Sequence, residues 1–218
     1  METIAILDFE TTGEAASQGG RATEIAIALV RGGQVVDSYQ SLMNAGALIT
    51  PFAEELTGIT NEMISKAPPA ARVMREAMAF VGSSPLGAHN AAFDSKFWSA
   101  ECLRAGGPSG HAGQFICTML LARRVYPNAP DHKLSTLARR LGIAPNGRAH
   151  RAMVDAQMTA ALLVKIQQSI AGSLRLASAP HAFLERAQRI PKGDVQAKLP
   201  SLAREMRIPA ASPGQIFF

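Results

Sequence analysis

Residues 3–13, Thr3-Ile4-Ala5-Ile6-Leu7-Asp8-Phe9-Glu10-Thr11-Thr12-Gly13, open the chain with a short apolar run that leads into acids. Residues 3–7 read as a buried strand, with Asp8 and Glu10 at its exit. In an extended segment, positions i and i+2 project from one face, so both carboxylates can aim at one point. Hard divalent cations such as Mg²⁺ are held by one or two carboxylates plus substrate phosphate. A metal site is therefore one reading of the pair. Two solvated acids at a strand end is the other, and on this spacing alone it is the commoner one.

Outward from that strand, residues 13–20 are rich in Gly, Ala and Ser and read as a loop. Residues 23–30 (TEIAIALV) form a second strand, and Gly32-Gly33 marks a hairpin into a third over 34–42. Residues 52–56 and 61–65 read as short helical turns on either side of Gly58. Helical spacing follows over 70–81, after Pro68-Pro69, and residues 86–89 are a short strand candidate. Residues 92–104 form an amphipathic helix that stops at Gly106-Gly107. Further helices are expected over 115–124, 134–141 and, the longest, 151–170. A strand meander followed by helices implies a mixed sheet.

The 218 residues are 47% apolar and 18% charged, which supplies a core and excludes wholesale disorder. No apolar run reaches the length of a bilayer span, and residues 1–10 carry acids where a signal peptide carries Lys or Arg. No membrane role is expected, and the cytoplasm is the default address. Cys102 and Cys117 make neither a zinc cage nor a disulfide scaffold. Residues 1–171 hold 15 Lys and Arg against 14 Asp and Glu; residues 172–218 hold 7 against 3. Five of the 13 prolines also lie after residue 171. These shifts suggest one domain over 1–171 and a basic, helical extension over 172–218. A basic tail suits an anionic partner without identifying one.

Further motifs change the weight of the first. Asp8-Phe9-Glu10-Thr11-Thr12-Gly13 resembles the first motif of the DEDDh 3′–5′ exonucleases, the DnaQ-like family. That family includes the proofreading epsilon subunit of bacterial DNA polymerase III and ribonuclease T. Leu56-Thr57-Gly58-Ile59-Thr60 is similar to the segment before the second motif, and His89-Asn90-Ala91-Ala92-Phe93-Asp94 to the second motif itself. Residues 133–143 (KLSTLARRLGI) are similar to the helix before the third, and His150-Arg151-Ala152-Met153-Val154-Asp155-Ala156 to the third. All of these lie in order within residues 1–170. The resemblance implies a ribonuclease H-like α/β fold, a mixed sheet flanked by helices.

It also implies roles. Phosphodiester hydrolysis gains from two cations about 3.5–4 Å apart, which position the nucleophile and offset charge on the phosphate oxygens. By the resemblance, Asp8 would serve both ions, Mg²⁺ or Mn²⁺. Glu10 and Asp155 would complete the first site and Asp94 the second, and His150 would take the proton from the attacking water. Asp94 and Asp155 also sit where a helix start favours a carboxylate. His150 and Asp155 can converge only if His150 lies on the loop before the helix. Thr11, Thr12, Gly13, Leu56, Thr57 and Asn90 stand where the family contacts or frames the terminal nucleotide. Phe9, Phe93, Phe97 and Trp98 are candidates for stacking on bases, with core packing the competing role for Phe93 and Trp98. Arg139, Arg140, Arg148 and Arg151 are candidates for phosphate contact, or a solvated face.

The expected activity is 3′–5′ removal of nucleotides from single-stranded or frayed DNA. RNA 3′-end trimming and a non-catalytic nucleic-acid or polymerase-binding module are the alternatives. A DNA polymerase, or a sliding clamp engaged by Gln215-Ile216-Phe217-Phe218, is the partner the tail suggests.

Overall fold

β1 (Thr3–Thr11), β2 (Ala22–Arg31) and β3 (Gln34–Leu42) form an antiparallel meander. β4 (Leu86–Ala88) pairs in parallel with the other side of β1, and β5 (Ile116–Cys117) in parallel with β4, for the order β3-β2-β1-β4-β5. The computed structural model describes residues 2–13, 15–107, 115–147 and 150–212. This is the mixed sheet flanked by helices that the sequence implied. Residues 215–218, the candidate contact with a sliding clamp, and Arg148 lie outside the described residues.

The alternation along β1 divides the core. Ile4 and Ile6 point to one face, where they meet Leu162, Leu163 and Ile166 of α7 (Ala152–Leu174). Ala5, Leu7 and Phe9 point to the other, against Val73 and Met74 of α3 (Ala70–Val81) and Phe97 and Trp98 of α4 (Asp94–Arg104). Asp8 and Glu10 continue the Ile4–Ile6 row, so the acids leave the sheet on the α7 face. Among the described residues, no helix is long and apolar enough to cross a membrane.

Several shorter elements complete the layers. α1 (Pro51–Thr57) and α2 (Asn61–Ser65) bury Ala53, Ile59 and Ile64 in a small cluster of their own. The helix expected over 115–124 is corrected. Ile116 and Cys117 extend to pair with Gly87 and Ala88, and α5 (Thr118–Val125) begins only afterwards. A two-residue strand has no period of its own, and its apolar residues merge into the helix pattern behind it. α6 (Leu134–Arg140) packs Leu137 on the α7 side of the core.

Gly87 shows how tightly the strands meet. A Cβ there would lie 2.7 Å from both Ile6 and Ile116 side-chain carbons. Gly87→Ala should therefore lower stability by about 1–3 kcal/mol, the usual cost of overpacking, and a denaturant midpoint equal to wild type would show that the two isoleucines simply repack.

The boundary expected after residue 171 falls inside α7. Beyond it, α8 (His181–Ala187) and α9 (Val195–Glu205) place Phe183, Leu184, Leu199 and Leu202 in the same cluster as Ile4 and Ile6. The Gln188 amide completes the free edge of β5. Cys117 N–H donates to its Oε1 at 2.7 Å, and its Nε2 donates to Phe115 O at 3.0 Å. Arg124 Nε donates to Ile190 O at 2.7 Å.

Candidate active site

Each acid reaches the site by a different local device. Asp8 and Glu10 ride on the last residues of β1. Asp155 lies in the first turn of α7. That turn is brought against β2 by Ala26, Ala152 and Ala156, whose small side chains let helix and strand approach. Asp94 opens α4 after a turn in which Asn90 adopts a left-handed backbone (φ 62°) and its carbonyl accepts the Phe93 N–H at 2.9 Å. Asn tolerates that conformation better than most residues.

Carboxylate oxygens of Asp8, Glu10 and Asp155 lie within 4.8 Å of one another. Asp94 stands behind them, 3% exposed, with Oδ1 accepting the Phe9 N–H at 3.2 Å. Burial raises Asp8 well above the usual carboxylate range, and the charges of Asp94, Glu10, Asp155 and Glu24 push it further. Burial, then Asp155 and Glu24, pushes Glu10 up to about 8, against the opposing pull of Arg151. Burial lifts Asp94 to about 7, although its backbone hydrogen bonds favour the charged form. Burial also raises Asp155, against the bond from the His150 N–H. Crowded hard oxygens that resist ionisation fit a divalent cation. Asp8, Glu10 and Asp155 would hold it, with Asp94 within electrostatic reach.

These shifts carry a pH dependence. Between the ordinary carboxylate pKa, about 4, and about 8 for Glu10, the folded chain keeps protons that the unfolded chain has released. Stability without cation therefore falls as pH rises through that window. His89 acts oppositely. Its Nε2–H donates to His132 O at 3.0 Å, Nδ1 faces the Thr118 hydroxyl, and burial pushes it down to about 4. Its contribution is lost as pH falls below about 6.5, so the acids act unopposed above that point. Thermal melts in chelator should drop between about pH 6.5 and 8.5, and excess Mg²⁺ should flatten the curve by favouring the ionised acids. A chelated melt that does not move with pH would contradict the strain.

His150 lies on the loop before α7, exposed and left-handed (φ 58°), and its backbone N–H donates to Asp155 Oδ2 at 3.0 Å. The loop position that the His–Asp spacing required is the one observed. The Thr11 hydroxyl accepts the Gly13 N–H at 3.3 Å, and the Thr12 hydroxyl accepts the Arg21 N–H at 3.3 Å. Gly13 has φ 99°, and a Cβ there would lie 3.0 Å from Thr50 Oγ1. Leu56 is exposed beside Phe52, one turn earlier on α1, whereas Thr57 turns inward. The Thr57 hydroxyl donates to Ala53 O at 2.8 Å and accepts the Ile59 N–H at 3.1 Å, so it is spent on the end of its own helix.

Of the stacking candidates, Phe9, Phe97 and Trp98 are buried. Phe93, for which core packing was the competing role, is instead 39% exposed, its ring 4.8 Å from Phe97.

Sequence reasoning missed two carboxylates. Glu24 and Glu101 are each 1% exposed and forked by an arginine: Arg151 on Glu24, Arg21 on Glu101. Arg151, a candidate for phosphate contact, thus faces Glu24. The signal was present, because a lone Glu in the apolar run TEIAIALV must find partners if that strand is buried.

The family model RNase_T, described as an exonuclease, matches residues 5–163. The chain is 34% identical over 169 residues to a DNA polymerase III PolC-type protein of Bacillus cereus, matching 78% of this chain but only 12% of that relative. The chain thus spans a small part of the PolC-type proteins it matches. It is 30% identical over 168 residues to the DNA polymerase III subunit epsilon of Aquifex aeolicus, with 77% of this chain and 82% of that one covered. Among solved structures, exonuclease X in complex with 5′ overhanging duplex DNA superimposes with a TM-score of 0.62 at 28% identity, covering 84% of this chain and 99% of that one.

Proposed function

The chain belongs to the RNase_T exonuclease family, the DnaQ-like DEDDh 3′–5′ exonucleases, and from that premise we propose that it removes nucleotides from the 3′ ends of single-stranded or frayed DNA, releasing nucleoside 5′-monophosphates. The observation that carries this reading is the meeting of Asp8, Glu10 and Asp155 oxygens within 4.8 Å, with Asp94 buried behind them. A module that only bound nucleic acid would gain nothing from burying like charges at the mouth of its site.

Bound Mg²⁺ or Mn²⁺, two ions in this family, would offset phosphate charge and make water more acidic. The chain's own residues do the rest. Asp8, Glu10 and Asp155 would hold a cation among them, and Asp94, whose charge bears on Asp8, would serve the second. His150, exposed beside Asp155, takes the proton of the attacking water. Leu56 and Phe93, both exposed, flank the terminal base, while Thr11, Gly13 and Asn90 set the backbone that frames it.

The test is a single strand labelled at its 5′ end. Mg²⁺ should yield a ladder that shortens from the 3′ end, and chelator should abolish it. Labelled mononucleotide released first from the 5′ end would overturn the polarity, and undiminished cleavage in chelator would overturn the cation requirement. Relatives named as polymerase III proteins make a DNA polymerase the partner to test by co-purification.

A further inference from the structure

We propose that Glu24 is a positioning residue for the nuclease centre: it holds Arg151 and the first N–H of α7, and thereby keeps Asp155 and His150 on the Asp8–Glu10 edge of the sheet. The inference rests on the reading of the site given above and assigns a role to residues that take no part in it.

Glu24 lies directly across from Glu10 in the β1–β2 register, so both side chains leave the same face of the sheet. Its bonds go to the start of α7 and to β3. Arg151 donates through Nη2 to Oε1 at 2.8 Å and through Nε to Oε2 at 3.2 Å. Ala152 N–H, which opens α7, donates to Oε2 at 3.2 Å, and Gln40 Nε2 on β3 donates to Oε1 at 2.8 Å. A planar fork plus a helix-start N–H fixes the helix in direction as well as distance. The alanine contact of Ala26 with Ala152 and Ala156 is small and apolar, and by itself would leave the helix end free to slide. One turn on from Arg151, Asp155 points at the Asp8–Glu10 pair and binds the His150 N–H. The line of support runs from β2 to Glu24, to Arg151 and Ala152, then to Asp155 and His150.

The charge serves a second purpose. Glu24 lies among acids that already repel one another, and Arg151 neutralises it where it stands. Burial works against the Glu24 carboxylate, yet the bonds from Arg151, Gln40 and Ala152 hold it below the usual range. The fork from Arg151 thus stands on a carboxylate that its own partners keep charged.

Glu24→Ala, Glu24→Gln and Arg151→Lys test this in the full chain. Mn²⁺ binding without substrate, read by electron paramagnetic resonance, should weaken about 10–100-fold in Glu24→Ala, as when a ligand's outer support is removed. The kcat on a single-stranded oligonucleotide should fall with it while KM holds, and amide exchange at residues 150–152 should quicken. Glu24→Gln and Arg151→Lys keep part of the fork and should rank between wild type and Glu24→Ala; they carry the same readouts if Glu24→Ala does not fold. A lowered melting temperature with Mn²⁺ affinity and kcat unchanged below it would reduce Glu24 to a stability role and overturn the inference. So would Arg151→Lys raising KM and flattening the salt dependence with Mn²⁺ binding intact, since Arg151 would then be a phosphate contact. Asp155→Asn separates the two levels. If it keeps Mn²⁺ binding and turnover, the reading of the site falls; if it loses both while the Glu24 variants behave as wild type, only the positioning role falls.

Discussion

Asp8→Asn should cut Mg²⁺-dependent turnover by at least about 10³-fold, some 4 kcal/mol of barrier, while raising the melting temperature of the metal-free protein. The two effects share one cause. Asp8 is the acid on which the charges of Asp94, Glu10, Asp155 and Glu24 all bear, on top of burial. The native chain tolerates that strain because the same crowding creates cation affinity. An amide of the same size removes a charge from the crowd and a ligand from the cage. Wild type should gain stability with Mg²⁺, since a ligand that binds only the folded state stabilises it; Asp8→Asn should gain little. Activity assays on a labelled strand, with melts at about pH 8 in chelator and in Mg²⁺, read all three quantities. Turnover near wild type would remove Asp8 from the site. A fall in the metal-free melting temperature would show that Asp8 is a structural acid and that the strain reading is wrong.

What the sequence made legible follows from where periodicity speaks. β1 was readable because Ile4, Ile6, Asp8 and Glu10 share a face by simple alternation, and the acids simply continue the apolar row out of the core. α3 was readable because its apolar stripe starts at a proline pair and ends at Gly82. β5 was not, because two residues become a strand only through the partners they pair with in β4. Thr57 shows a different limit. Its place beside Leu56 drew it into the site, but a hydroxyl that can bond the carbonyl four residues back is as well satisfied inside the helix end. Glu24 is not legible in a strand pattern, which scores the apolar residues and treats a lone acid as noise. The structure reverses that weighting: in a buried strand, the acid is the residue that most needs an explanation.

Residues 172–218 draw the same lesson on a larger scale. Their prolines and positive charge suggest an appendage, yet cutting after Gly172 should leave a chain that does not fold cooperatively. Phe183, Leu184, Ile190, Leu199 and Leu202 are buried against the α7 face. At about 1.5–3 kcal/mol each, uncovering them removes about 10 kcal/mol, which is most of the stability of an ordinary domain. The cut also strips the Gln188 amide from the β5 edge and the Ile190 carbonyl from Arg124. Phe183→Ala, a smaller lesion, should cost about 3–5 kcal/mol and lower the melting temperature by about 10 °C. Cutting after residue 212 spares all of these contacts and should melt above the other two variants. Circular dichroism and thermal melts of the three variants check the order. A sharp melt for residues 1–172 near that of the full chain would restore the appendage. Turnover in the shortened chain should fail for a connected reason: Gln188 holds β5, β5 pairs with β4, and β4 leads into the Asn90–Asp94 turn, so the segment farthest from the chemistry in sequence supports the strand that delivers one of its acids.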